Sequence, residues 1–123
     1  MLILSTTNQI ELENTIRFEG PDNPQLVGGS YSLTCVVTAD LPPEVKWRDG
    51  DGNEIPYEDE ETGGVFVEEK VVIGRTTRLT LRFRSLLTSH GGSYSCLSII
   101  TVPSSIQVGT RDVIVKSEYL LCC

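Results

Sequence analysis

The sequence predicts an all-β sandwich in which seven to nine short strands form two antiparallel sheets. Three observations point there. Short runs of alternating apolar and polar residues are separated at close intervals by Gly, Pro, Asp and Asn clusters, which is the punctuation of strands and turns. No amphipathic stretch exceeds one helical turn. Cys35, Trp47 and Cys96, all suited to a dense core, fall at inward positions of three different runs.

The elements follow in chain order. Residues 1–13 show no period and read as a leader or linker. Ile16 and Phe18 then alternate with polar residues until "EGPDNP". Proline has no N–H for a ladder, so Pro21 and Pro24 place this run at a sheet edge or at a switch between sheets. In "SYSLTCVVT", Tyr31, Leu33, Cys35 and Val37 share one face, which predicts a strand with one buried side. "DLPP" ends it, and "EVKWRD" points Val45 and Trp47 inward with Lys46 and Arg48 outward. "DGDGN" is a turn, "EIPY" a short strand, and "EDEETGG" an acidic loop. "VFVEEKVVI" is a strand whose register the pattern leaves open.

"TRLTLRF" directs Leu79, Leu81 and Phe83 inward, with Arg78, Arg82 and Arg84 outward. "HGGSYSCLSII" places Tyr94, Cys96, Ser98 and Ile100 on one face and Leu97, Ile99 and Thr101 on the other. The last run, Ile106 to Lys116, changes parity: Ile106 and Val108 share one phase, Val113 and Val115 the other. An extra residue near Gly109 accounts for the change, so a β-bulge is expected there. Residues 118–123 read as a tail.

Composition excludes several functions. At 123 residues the chain holds one domain, and a net charge of −7 argues against nucleic acid, which calls for a basic footprint. No apolar run approaches the ~18 residues of a membrane span, and "MLIL" lacks the length and basic flank of a signal segment. No C-x-x-C pair accompanies the single His90, so neither zinc nor another cofactor is expected. N-x-S/T is absent. Catalysis needs a nucleophile with its base, paired carboxylates in a cleft or a metal, and none is visible. His90 reads as a structural or solvated turn residue. Glu58, Asp59, Glu60 and Glu61 read as a solvated acidic loop rather than a calcium site.

"LTC" at 33–35, "VKW" at 45–47, "LRFRSL" at 81–86 and "GGSYSC" at 91–96 together resemble the immunoglobulin superfamily over residues 14–117. That resemblance implies a Greek-key immunoglobulin-like sandwich of the I-set or V-like type. It also implies a Cys35–Cys96 disulfide between the sheets, with Trp47, Leu81 and Phe83 in the core around it. Tyr94 would send its hydroxyl back to the preceding turn as a tyrosine corner. One departure is plain: where members commonly carry Asp six positions before the second cysteine, this chain has His90.

The resemblance further implies a non-catalytic recognition module of a cell-surface receptor or adhesion protein, extracellular and part of a secreted or single-pass membrane chain. A receptor tyrosine kinase is one such architecture. The expected partner is a protein, a second copy included, bound to the outer face of the sheet that the family builds from strands G, F, C and C′. Leu97 and Ile99 are apolar where that face should be polar, with Lys46, Arg48 and Tyr57 beside them. The competing account is that neighbouring side chains, or residues 1–13, cover them.

Arg75, Arg78, Arg82 and Arg84 form a stripe for heparan-like glycans, or else pair with Glu68 and Glu69. Cys122 and Cys123 suit an interchain disulfide or the start of a membrane-proximal segment. The alternative role is a structural spacer, either an intracellular muscle-type domain or a unit in a multidomain chain, with no ligand of its own.

Overall fold

The alternation in "YSLTCVVTA" is that of a strand in the middle of a sheet, and in the computed structural model it is one. The structure describes residues 12–57 and 64–117. Its strands are β1 (Asn14–Glu19), β2 (Gln25–Leu26), β3 (Tyr31–Ala39), β4 (Glu44–Arg48) and β5 (Val65–Val67). There follow β6 (Val71–Ile73), β7 (Thr76–Phe83), β8 (Gly92–Ile100), β9 (Ser105–Val113) and β10 (Val115–Lys116). One sheet runs β1-β3-β7-β5, with β6 also on β7, and the other runs β4-β8-β9. The chain crosses between them after β3, returns after β4 and crosses again after β7, which makes an all-β sandwich with Greek-key connections.

The two prolines mark a change of sheet. After β1 leaves the larger sheet, β2 pairs in parallel with β10, the continuation of β9. Asn23 fixes this crossing from its side chain: its Nδ2 donates to the Asp112 carbonyl at 2.7 Å, and its Oδ1 accepts from the Ile114 N–H at 3.1 Å.

The core lies between the sheets. Leu33 and Cys35 of β3, Leu81 and Phe83 of β7, Trp47 of β4 and Cys96 of β8 are fully buried. Cys35 and Cys96 are joined by a disulfide that spans 61 positions of sequence. On a loop-entropy view such a closure stabilises by about 4 kcal/mol. Trp47 belongs to one sheet, yet its indole N–H donates to the Leu79 carbonyl of the other at 2.9 Å. Burying an indole is favourable only when that donor is satisfied, and here the bond also fixes the sheet spacing. Phe18 packs on it with ring centroids 5.7 Å apart.

The Tyr94 hydroxyl donates to the His90 carbonyl at 2.6 Å, and the phenol meets Phe83 edge-on at 5.4 Å. Of the two roles expected for His90, the structural one holds: the residue is buried rather than solvated. Its ring lies 5.3 Å from Phe83, and its Nδ1 accepts the Leu87 N–H at 2.9 Å. The imidazole thus closes the 3-10 turn Thr88–His90 from inside, where a carboxylate would carry a buried charge. Ser98 faces the core as its parity requires, and its buried hydroxyl donates to Asn14 Oδ1 at 2.7 Å. Asn14 in turn reaches the Ser105 hydroxyl at 3.1 Å, which ties β1 to the opposite sheet.

Two local expectations are overturned. No bulge occurs at Gly109, because β8 and β9 pair without interruption from Gly92 opposite Val113 to Ile100 opposite Ser105. The parity change has another origin: Ile106 and Val108 point outward and Val113 inward. Gly109 is required for a different reason. A Cβ there would lie 2.9 Å from Phe18 Cζ and 3.0 Å from Ile16 Cγ2, so β1 closes on β9 only where no side chain stands.

The bulge is instead at Glu68–Lys70. Val65 lies opposite Phe83 and Val71 opposite Arg78, which leaves one extra residue on the edge that β5 and β6 share. The second correction concerns "EIPY", which forms no strand. Glu54 makes an isolated bridge to Arg48, Tyr57 makes one to Val67, and Ile55 turns into the core. Among the described residues β4 is therefore the edge of its sheet, with no C′ strand.

Two measurements check this account. Tyr94→Phe is expected to cost roughly 1–3 kcal/mol in urea unfolding, because it strands the His90 carbonyl. Tyr31→Phe should cost little, since the buried Tyr31 hydroxyl has no partner among the described residues. Burial first, and then the charge of Asp49, hold the Tyr94 phenol above its usual value of 10.0, and burial does the same for Tyr31. A folded pKa raised in this way leaves the stability intact below about pH 10 and removes it as pH climbs through the folded value. The domain should therefore weaken in alkali, and Tyr94→Phe should lessen the slope. Separately, Gly109→Ala is expected to destabilise by about 1–3 kcal/mol through displacement of Phe18. A midpoint equal to that of the parent protein would refute the close approach.

Candidate protein-interaction face

The outer face of β4-β8-β9 is built by register. On β8, Ser95, Leu97 and Ile99 point away from the core. Leu97 lies opposite Lys46 on one side and Val108 on the other, and Ile99 lies between Glu44 and Ile106. Leu97 was expected to be exposed, but it is only 7% accessible. Lys46 explains part of its cover. The ammonium is held by Glu44 at 3.3 Å and Glu54 at 3.6 Å, so the lysine stem lies over the sheet instead of extending into water. Ile99 is half-buried.

The apolar surface therefore shifts to β9, where Ile106 and Val108 are 58% and 59% accessible. Sequence reasoning missed both, because it explained the phase change by a bulge and turned them inward. The usable signal was the strand's own polarity: its inward positions are Ser105, Gln107, Gly109 and Arg111, small or polar, and the branched residues stand between them.

The edges of the patch are polar. Ser95 and Thr110 share a hydroxyl hydrogen bond of 3.0 Å, and the Ser93 hydroxyl donates to Asp112 at 2.6 Å. Arg48, Gly50, Ser95, Leu97 and Val108 line a shallow depression whose apolar side is Leu97 and Val108. Fixed hydroxyls around branched aliphatic side chains suit another protein surface. They offer no nucleophile with a base and no cluster of charge. Tyr57 does not join this patch: it is exposed, but its bridge to Val67 places it beside β5. Thr101 lies in the turn after β8, next to Val102.

The arginine stripe faces outward from the other sheet. Arg75 pairs with Glu13 and with Asp40 at 2.7 Å, Arg78 with Glu19 at 3.3 Å, and Arg82 with Glu68 at 3.4 Å. Arg84 stacks on Phe66 at 4.4 Å. Glu19, hydrogen-bonded by Arg17 and then by Arg78, has a lowered pKa. The stems do further work. Val36 points outward yet is buried, because Arg17 and Arg78 flank it in register. No cluster of three His, Cys, Asp or Glu side chains able to hold a metal occurs among the described residues. The acidic group Glu58, Asp59, Glu60 and Glu61, and the pair Cys122 and Cys123, lie outside them.

A family model described as an immunoglobulin domain matches residues 15–98. The solved structures similar to this chain include a chimeric titin Z1Z2 carrying an exogenous peptide from decorin. It has 19% identity and a TM-score of 0.65 over 87% of this chain and 98% of that one. Titin domains z1z2 in complex with telethonin give 19% identity and a TM-score of 0.63, covering 89% of this chain and 51% of that one. The N-terminal eight immunoglobulin domains of Down syndrome cell adhesion molecule give 22% identity and 0.62, covering 86% and 12%. A search of curated proteins found no match. At these identities the likeness is one of fold.

Paired arginines project little net field, and the chain carries −7 overall. The domain is therefore expected to leave a heparin column below physiological salt. Retention above it would restore the stripe as a glycan surface.

Proposed function

This chain belongs to the immunoglobulin domain family, and on that premise we propose that it is a non-catalytic protein-recognition module of a larger extracellular chain, with β9 and β8 of the smaller sheet as its contact face. The single observation that carries this reading is the exposed pair Ile106 and Val108 beside Ile99 on a rigid strand, within a polar rim. The Cys35–Cys96 bond supports an oxidising compartment, because such bonds persist outside the cytosol. Lys46 and Arg48 belong to the rim: Lys46 is neutralised by two glutamates, and Arg48 borders the depression. Leu97 lies beside Val108 in register but adds little exposed area, and Tyr57 lies outside the patch.

A second reading has its own support. The cover over Leu97 shrinks the apolar face, and titin domains are prominent among the similar structures, which suits a spacer with no ligand, intracellular or within a long chain. Two measurements separate the readings. The mass of the natural protein reports the bond, with two protons missing if Cys35 and Cys96 are joined. A tetramer of the domain is expected to bind cells of the source tissue, and Ile106→Asp with Val108→Asp should cut that binding at least about tenfold while the fold survives, a loss near 1.4 kcal/mol. Undiminished binding by the double variant would move recognition elsewhere. Absence of binding by the parent tetramer would favour the spacer.

A further inference from the structure

The turn after β4 contains the same dipeptide twice in succession, Asp49–Gly50 and Asp51–Gly52. In an Asp–Gly step the main chain can attack its own side chain, because glycine has no Cβ to crowd the attacking nitrogen. The fold treats the two steps differently. Asp49 is half-buried, and its Oδ1 accepts the Asp51 N–H and the Asn53 N–H, both at 2.9 Å. Turning that carboxyl toward the Gly50 nitrogen would break both bonds and open the turn. Asp51 is exposed, and its carboxylate makes no hydrogen bond or ion pair among the described residues. Gly52 is exposed as well, and a Cβ built there would meet nothing within 4 Å, so no side chain shields its nitrogen. One bond restrains it: the Gly52 N–H donates to the Asp49 carbonyl at 3.0 Å. A single bond at the tip of an exposed turn opens locally, without unfolding of the sheets.

We propose that Asp51 is a site of spontaneous isoaspartate formation in the folded domain, and that the turn protects Asp49 from the same reaction. The Gly52 nitrogen bonds to Asp51 Cγ; the acid form of the carboxyl gives up its hydroxyl and the nitrogen its proton, together one water. The product is a cyclic imide. A water then opens it. Addition at Cγ restores aspartate, and addition at the main-chain carbonyl carbon of Asp51 leaves the chain running through Cγ with a free α-carboxylate. Water leaves and water returns, so the mass is unchanged and the step needs no oxidant, cofactor or enzyme. The modified link carries an extra methylene into the main chain between Asp51 and Gly52. Gly50 and Gly52 line the depression beside Leu97 and Val108, so ageing of the chain reshapes the border of the proposed contact face while the core is untouched. The chemistry itself does not depend on that face having a partner.

Prolonged incubation of the whole chain in neutral buffer, with and without urea, tests this when followed by peptide mapping that distinguishes isoaspartate from aspartate. In the folded protein, conversion at Asp51 is expected to run at least about tenfold faster than at Asp49. In urea, where the bonds to Asp49 Oδ1 are gone, the two rates should converge. Asp51→Glu disfavours the ring and should remove the signal from the folded chain, while thermal unfolding stays that of the parent because the Asp51 carboxylate holds nothing in place. Three results overturn the proposal. One is a folded chain that forms no isoaspartate over a period in which the urea-treated chain does. The others are conversion at Asp49 that equals or exceeds that at Asp51 in the folded state, and a signal that survives Asp51→Glu.

Discussion

Everything in this domain depends on two bonds that cross between the sheets at the same depth. The Cys35–Cys96 disulfide joins β3 to β8, and the hydrogen bond from the Trp47 indole to the Leu79 carbonyl joins β4 to β7. One is covalent and limits the unfolded chain. The other is polar and would be costly to break, since it would leave a donor and an acceptor buried without partners. Phe18, Leu33, Leu81 and Phe83 fill the space that these bonds define. Surface features acquire fixed positions only because the sheets cannot slide past one another.

The polar groups inside the sandwich are consistent with that rigidity. The Tyr94 hydroxyl, the His90 imidazole and the trio Asn14, Ser98 and Ser105 each meet a partner at hydrogen-bond distance, and each links segments far apart in the chain or closes a turn. A buried polar group with a single satisfying geometry selects one packing, where an aliphatic side chain tolerates several. His90 illustrates the substitution of one chemistry for another. An imidazole tilted against Phe83 and accepting the Leu87 N–H holds the turn that an aspartate commonly holds in related sequences.

The strong alternation of β3, β4, β7 and β8 was legible in the sequence, because each of these strands has one face in the core and one in water. The disulfide, the indole and the tyrosine corner were legible through a resemblance whose parts support each other. The failures lie where that simple pattern does not hold. β9 carries its branched residues outward and Gly109 inward, so periodicity alone inverted it and hid Ile106 and Val108. Leu97 has the alternation of an exposed residue, but it is covered in part by Lys46 on another strand, which no local window contains. "EIPY" has the composition of a strand, yet it touches β4 only at Glu54 and Ile55 before Ile55 turns into the core and Tyr57 passes to Val67. The bulge was expected in the right kind of element but on the wrong strand, since the composition of Glu68–Lys70 resembles any charged stretch.

The arginines over Val36 have a consequence for behaviour in salt. Arg17 and Arg78 both pair with Glu19, an attraction that electrolyte screens and that fades as ionic strength rises. The stems remain, since apolar contact between methylene groups and valine does not depend on charge and is favoured by salting-out ions. The outer surface of the larger sheet thus keeps its apolar content hidden in brine as in dilute buffer. A lattice of short side chains carrying the same charges would lack that property.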